Sequence, residues 1–250
     1  MIGLDVFKKH FIGYEECFVI IGGTACSVLL NEIGREFRTT KDIDMVLITE
    51  NISDEFISVF WKFIKNGRYR INSVGDIKRK FYRFEKTENE CFPAMIELFS
   101  RSPIDISFAP GSHIIPLHFA DDISSLSAIL LNDDYYQFLL NGKRLMDGIT
   151  LLDEVHLIPF KAKAWCELHD RQLEGEESLS KQIKKHKKDI AVLLSVITPS
   201  KTINLTGMVL QDMIRFEKEM EKEEINEMTT GVCNMTTQLY CSILKSLFNF

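Results

Sequence analysis

The sequence predicts an α+β fold, a mixed sheet with flanking helices followed by a mainly helical C-terminal domain. Two observations carry this. In the first half, short apolar or alternating runs are punctuated by glycines and by helical stretches, which is how strands interleaved with helices read. From about Leu152 onward, apolar residues recur at the three-to-four spacing of helices instead. The change of pattern places the expected boundary, with a sheet-containing domain over 1–150 and a helical domain over 151–250.

Taken in order, Phe18 to Ile21 form an apolar run that ends in Gly22-Gly23, a buried strand. The small residues Thr24-Ala25-Cys26-Ser27 and the apolar Val28-Leu29-Leu30 then open a helix over about 24–33. Residues 43–49 make a second strand. "SDEFISVFWKFIKNG" is a helix: Ser53 caps it ahead of two acids, Phe56, Val59, Phe60 and Phe63 share a face, and Gly67 stops it. "KRKFYRFEK" and "FPAMIELFS" alternate as strands, with Thr87 to Glu90 a polar hairpin turn between them. "LSAILL" and "YYQFLLNGKRLMDGITLL" read as further strands, and Asn141-Gly142 supplies a two-residue turn signal. In the second half, "EVHLIPFKAKAWCELHDR", "SLSKQIKKHKKDIAVLLSVI", "GMVLQDMIRFEKEMEKEEI" and "TTQLYCSILKSLF" are helices.

Composition narrows the function. The net charge of −6 removes any global basic field that would draw the chain to nucleic acid or an anionic membrane, so a polyanion must be met by a local patch. No window approaches the roughly 20 apolar residues of a membrane span, and "MIGLDVFKKHF" lacks the apolar core of a signal peptide. The six cysteines show no CxxC pair or regular spacing, so reduced thiols in a cytoplasmic protein are expected rather than a disulfide framework or a metal site. His113 and His118 have no metal-ligand spacing and read as loop residues.

The chemistry gathers at "FVIIGGTACSVLLNEIGREFRTTKDIDMVLIT". In a strand the side-chain period is two, so Asp42 and Asp44 share a face. Two ionised carboxylates there repel each other, and a hard cation such as Mg²⁺ relieves the repulsion. Mg²⁺ takes one or two protein carboxylates plus substrate phosphate oxygens, and a pair of ions ~3.5–4 Å apart braces both oxygens of a phosphoryl transfer. Glu97, a charged residue inside the apolar "AMIELFS", is the candidate third acid. Gly22-Gly23 lets a backbone approach phosphate closely at a helix start, with the hydroxyls of Thr24 and Ser27 nearby. Neither a P-loop nor a dinucleotide GxGxxG is present.

On these residues the sequence resembles the nucleotidyltransferase superfamily of polymerase-beta-like fold, whose pattern is hG[GS], then [DE]h[DE]h, then a third acid. Within it the sequence is similar to the AbiEii-type toxin group. "GGTACSVLL" followed by "REFRTTKDIDMVL" matches that group's first motif, including the Arg38-x-Thr40-x-Asp42 approach, and Lys161 with Ala164 and Lys188-Asp189 match its later helices. The resemblance spans roughly residues 15 to 197. It implies a nucleotidyltransferase-like sheet, and an enzyme moving an NMP from an NTP (ATP or GTP) to an acceptor hydroxyl with two Mg²⁺ ions. By resemblance Asp42 and Asp44 hold the metals, with Glu97 as third ligand by its strand placement. Gly22, Gly23, Thr24 and Ser27 lie against the nucleotide. Lys161 and Lys188 contact phosphate, and Asp189 sits close to nucleotide or acceptor. The implied partners are an RNA or protein acceptor and a cognate antitoxin. The alternatives are a small-molecule, antibiotic-type nucleotidyltransferase, or a non-catalytic relative that binds nucleotide or a partner.

Two charged stretches stay open. Lys181, Lys184, Lys185 and Lys188 fall on one helical face, either a solvated face or a phosphate-facing stripe. "EKEMEKEEINE" reads as an exposed, ion-paired helix or a surface for a basic partner.

Overall fold

The computed structural model describes residues 1–74, 81–85, 87–100, 115–116, 132–198 and 201–250. They form two compact units, one of Met1–Leu131 with Leu139–Asp153 and one of Asn132–Phe138 with Glu154–Phe250.

The first unit is built on a mixed sheet. Its strands are β1 (Phe18–Ile21), β2 (Asp42–Leu47), β3 (Arg70–Val74), β4 (Phe81–Glu85), β5 (Met95–Ser100), β6 (Ile115–Pro116), β7 (Lys143–Met146) and β8 (Ile149–Leu152). Among the described residues their order is β6-β3-β4-β5-β2-β1-β8-β7. β2 runs antiparallel to β1 and parallel to β5, while β1 runs parallel to β8. β1 is buried at every position, as a strand covered on both faces must be. β2 and β5 alternate: Ile43, Met45, Ile96 and Leu98 are buried, whereas Asp42, Asp44, Met95 and Glu97 are half-buried.

Helices α1 (Leu4–His10), α2 (Gly22–Glu32) and α3 (Asp54–Asn66) flank this sheet. An aromatic core, Phe7, Phe11, Phe56, Phe60 and Phe63, fills one side, with Phe11 and Phe63 centroids 5.3 Å apart and Phe60 edge-on to Phe84 of β4 at 5.4 Å. Each fully buried ring contributes about 1.5–3 kcal/mol. α3 starts where Ser53 accepts a hydrogen bond from the Phe56 N–H at 3.2 Å, and Gly67 follows its end. α1 is too short, at seven residues, for its period to stand out in the sequence.

Three sequence expectations are corrected. "YYQFLLN" is not a strand but most of helix α4 (Asp133–Asn141). Asn132 caps it, its Oδ1 accepting from the Asp134 and Tyr135 N–H groups at 3.0 and 3.3 Å, and Tyr135, Tyr136 and Leu139 are wholly buried at helical spacing. The hairpin turn is therefore not Asn141-Gly142. Asp147-Gly148, with φ of 50° and 76°, joins β7 to β8, and the left-handed values are those a two-residue hairpin turn requires. The helix beginning at Gly207 ends at Met220, short of Ile225, which turns inward and is buried. "LSAILL", His113 and His118 lie outside the described residues, as does part of "KRKFYRFEK", whose strand is described from Phe81.

The second unit is helical: α5 (Leu157–Leu173), α6 (Ser180–Leu194), α7 (Gly207–Met220), α8 (Glu227–Thr230) and α9 (Thr237–Phe248). Pro159 sits in the first turn of α5, where its missing N–H leaves no intrahelical bond unmade. Trp165, Phe216, Tyr240 and Leu244 form the centre, with Trp165 and Phe216 centroids 5.5 Å apart. The glutamate run is helical only as far as Met220. Glu219 pairs with Lys222 at 2.8 Å, Glu221 with Lys245 at 3.0 Å and Glu223 with Lys187 at 2.5 Å. No helix among the described residues is long and apolar enough to cross a membrane.

Candidate functional site

The β1–β2 register places Ile21 opposite Asp44, so the aspartate lies beside the turn at which β1 becomes α2. Gly22 makes that turn with φ +68°, a left-handed conformation that costs glycine little. A Cβ added to Gly22 would lie 1.8 Å from Asp44 Oδ2, so the carboxylate occupies the space that any other residue at 22 would fill. Gly23 is the seat of the approach motif: a Cβ there would meet Thr40 Oγ1 at 3.1 Å and an Arg38 guanidinium nitrogen at 3.2 Å. Thr24 is fully buried, and its hydroxyl donates to the Asp42 carbonyl at 2.5 Å, tying the start of α2 to the start of β2. Ser27 lies further along α2 and is half-buried. Ile21, at the α2 N-cap, supplies no side-chain hydrogen bond to the first-turn N–H groups, which together with the helix dipole favour an anion.

Glu97 stands where its strand placement puts it. It is the register partner of Asp44 across β2 and β5, and neighbouring strands lie ~4.8 Å apart. Its carboxylate is engaged by a residue the sequence argument missed. Arg83 of β4, the register partner of Glu97 on the other side, donates through Nε to Oε1 at 2.8 Å and approaches the same oxygen through a terminal nitrogen at 2.5 Å. Glu85, two residues on, shares the face of Arg83. The alternation in "RFE", with Phe84 wholly buried on the opposite side, was the signal that could have found both.

Asp42, Asp44, Glu97, Arg83 and Glu85 thus share one sheet face, with Gly22 and Gly23 at the helix start beside Asp44. Among the described residues there is no group of three or more His, Cys, Asp or Glu side chains that could hold a metal ion. Two carboxylates next to an anion-favouring helix start nevertheless fit Mg²⁺, which draws its remaining ligands from phosphate and water rather than from an all-protein cage.

The other predicted residues lie in the second unit. Lys161 of α5 and Asp189 of α6 meet in a buried ion pair, Nζ to Oδ2 2.8 Å, with only 5% and 1% of their side chains exposed. Lys181, Lys184, Lys185 and Lys188 are exposed along α6, whereas Lys187 is buried against Glu223. The Lys188 side chain passes over Gly231, whose added Cβ would lie 3.4 Å from its Cε and Nζ.

Compared with known proteins, the chain matches no family model, and no curated protein matches it. Among solved structures it is similar to an antigenic nucleotidyltransferase-like protein from Paracoccidioides brasiliensis. That likeness covers 97% of this chain and 90% of that one, at 13% sequence identity and a TM-score of 0.47.

Proposed function

We propose that the first unit carries a Mg²⁺-dependent nucleotidyltransferase site that moves an NMP from an NTP to an acceptor hydroxyl. One observation carries the reading: the Asp44 carboxylate lies across Gly22, so a metal ligand and an anion-favouring helix start share one place. Asp42 and Asp44 would hold Mg²⁺, which when bound lowers the pKa of the acceptor hydroxyl and offsets charge on the triphosphate. The chain's own part is positioning. The N–H groups at Gly22 and Gly23 bind phosphate oxygens, and the bond from Thr24 to the Asp42 carbonyl fixes the distance between phosphate cradle and carboxylates. Arg38 and Thr40, packed at Gly23, hold the chain that leads into Asp42.

In the second unit, Lys161 and Lys188 are proposed phosphate contacts on the family resemblance, with Asp189 holding Lys161 in place through their buried pair. The acceptor class, RNA or protein, and a cognate antitoxin follow from the same resemblance.

Incubating the protein with each labelled NTP, Mg²⁺ and total RNA or lysate should label one acceptor class. Asp44→Asn keeps the side chain's size but removes a metal-binding charge. Labelling should fall by ~10²-fold or more, with the thermal midpoint unchanged or raised. Labelling within a few-fold of wild type would remove Asp44 from the reaction.

A further inference from the structure

The second unit answers its lysines with acids wherever its helices bring the two together. Lys187 of α6 meets Glu223, Lys222 meets Glu219, and Lys245 of α9 meets both Glu217 and Glu221. One face of α6 departs from this. Lys181, Lys184, Lys185 and Lys188 are exposed there, and Lys181, Lys184 and Lys188 form no ion pair or hydrogen bond among the described residues.

Packing alone does not call for this row. Ile183, Lys187, Ile190, Ala191 and Leu194 make the buried side of α6, so neutral polar residues would serve at the exposed positions. Lys181 with Lys185, and Lys184 with Lys188, stand one turn apart, where like charges repel. Lys181 also sits in the first turn, which holds no acid and where the helix dipole disfavours a cation. The Lys188 side chain passes over Gly231, beside α8, yet the acids of that stretch are engaged elsewhere. Glu224 accepts from the Asn226 side-chain amide at 3.0 Å, and Glu227 accepts from the Asn234 N–H at 3.3 Å.

An external polyanion relieves this repulsion. Ammonium groups at i, i+3, i+4 and i+7 form a row about 10 Å long and one helix wide. Such a row suits a chain of recurring charges, because an ammonium is a point charge with no fork to align on one anion. Between Lys181 and Lys188 no apolar residue is exposed. The face therefore lacks what a membrane-surface helix buries in lipid, and it lacks the anchor around which a protein interface forms. We infer that this face of α6 is an RNA-docking surface, taking one single-stranded sugar–phosphate backbone along Lys181, Lys184, Lys185 and Lys188. A duplex presents two backbones across a groove wider than the row, whereas the loops and ends of RNA offer single strands. The contact is electrostatic and indifferent to base sequence. It goes beyond the proposed transfer reaction and does not depend on it.

The probe is a fluorescein-labelled, mixed-sequence single-stranded RNA of ~20 nucleotides, followed by anisotropy in EDTA from ~50 to ~200 mM salt. Four phosphate contacts give a log–log salt slope of ~−3 for the wild-type protein, at ~0.7 per contact. The double variant Lys181→Gln/Lys184→Gln should bind ~5-fold or more weakly at the lowest salt, with the slope shallower by ~1 or more. Lys188 is left in place because it is also a proposed nucleotide contact. Lys9→Gln/Lys218→Gln, the same charge change at exposed lysines of α1 and α7, should stay within ~2-fold. A stripe variant no weaker than this control pair overturns the inference, as does a wild-type protein that does not bind the RNA at ~50 mM salt. Tighter binding of duplex DNA or phosphatidylserine vesicles than of the RNA, lost with Lys181 and Lys184, overturns it in favour of those partners. A protein that binds RNA through α6 but transfers no label from any NTP upholds the inference and overturns the proposed function instead.

Discussion

Gly22 and Gly23 are neighbours of one residue type, yet their surroundings assign them opposite tolerances. At Gly22 an alanine meets a left-handed φ of +68° and an aspartate oxygen 1.8 Å away. The backbone strain and the displaced carboxylate should together cost at least ~2 kcal/mol. At Gly23 the nearest atoms, at 3.1 and 3.2 Å, are the ends of the Thr40 and Arg38 side chains. Alanine also stabilises a helical position by roughly 0.5–1 kcal/mol over glycine, which offsets the tight fit. Gly22→Ala is therefore expected to lower the urea midpoint and to abolish Mn²⁺ binding, while Gly23→Ala stays within about 1 kcal/mol of wild type. Paired denaturant curves and metal titrations on the two variants check this. Residue types at the site were legible in the sequence, because glycines after a strand and aspartates at period two are local patterns. That Asp44 rests on Gly22, or that Glu97 is met by Arg83, depends on strand register, which local pattern does not encode.

At the scale of elements, the strands and helices whose period agreed with their flanking caps were legible, β1, β2, α3, α5, α6 and α9 among them, whereas the four-residue α8 was not read from the sequence. α4 was not. Two tyrosines and a nearby Asn-Gly pair favour a strand and hairpin locally, yet Tyr135, Tyr136 and Leu139 find burial only on one face of a helix. The deciding device is Asn132, which accepts from two N–H groups of the first turn. Asn132→Ala should cost ~1 kcal/mol and Asn132→Asp much less, since aspartate caps equally well. Equilibrium urea unfolding of both variants reads the difference directly. β6 shows the other limit: its two residues pair because β3, distant in sequence, presents them with an edge, and little in their own sequence announces the pairing.

For the molecule as a whole, buried thiols and phenols make stability sensitive to alkali. Burial pushes the Cys166 thiol up to about 12 and Cys241 up to about 11 from the usual 9.0, and burial likewise raises Tyr69, Tyr135 and Tyr240 above their usual 10.0. These groups stay neutral in the fold but ionise in the unfolded chain, so above pH 9 the unfolded state binds fewer protons. Their contribution is complete below pH 9 and is lost as pH rises from there toward 11–12. The urea midpoint should hold between pH 7 and 8.5 and fall steadily by pH 10.5. Cys166→Ala should make that fall shallower, and an unchanged slope would show that other groups govern it.

The seven residues Asn132–Phe138 belong with the second unit although the chain then returns to the first for Leu139–Asp153. Within that second unit the Tyr135 hydroxyl donates to Asp212 at 3.1 Å, and its ring meets Phe160 edge-on at 5.3 Å. Inheritance of the two halves is therefore interlocked. A gene exchange or split-reporter cut between 153 and 154 carries Tyr135 away with the sheet and strips Asp212 of its phenol partner. A homologous half brought in at that cut would restore this contact only if a matching tyrosine and aspartate arrived from two separate stretches of the coding sequence.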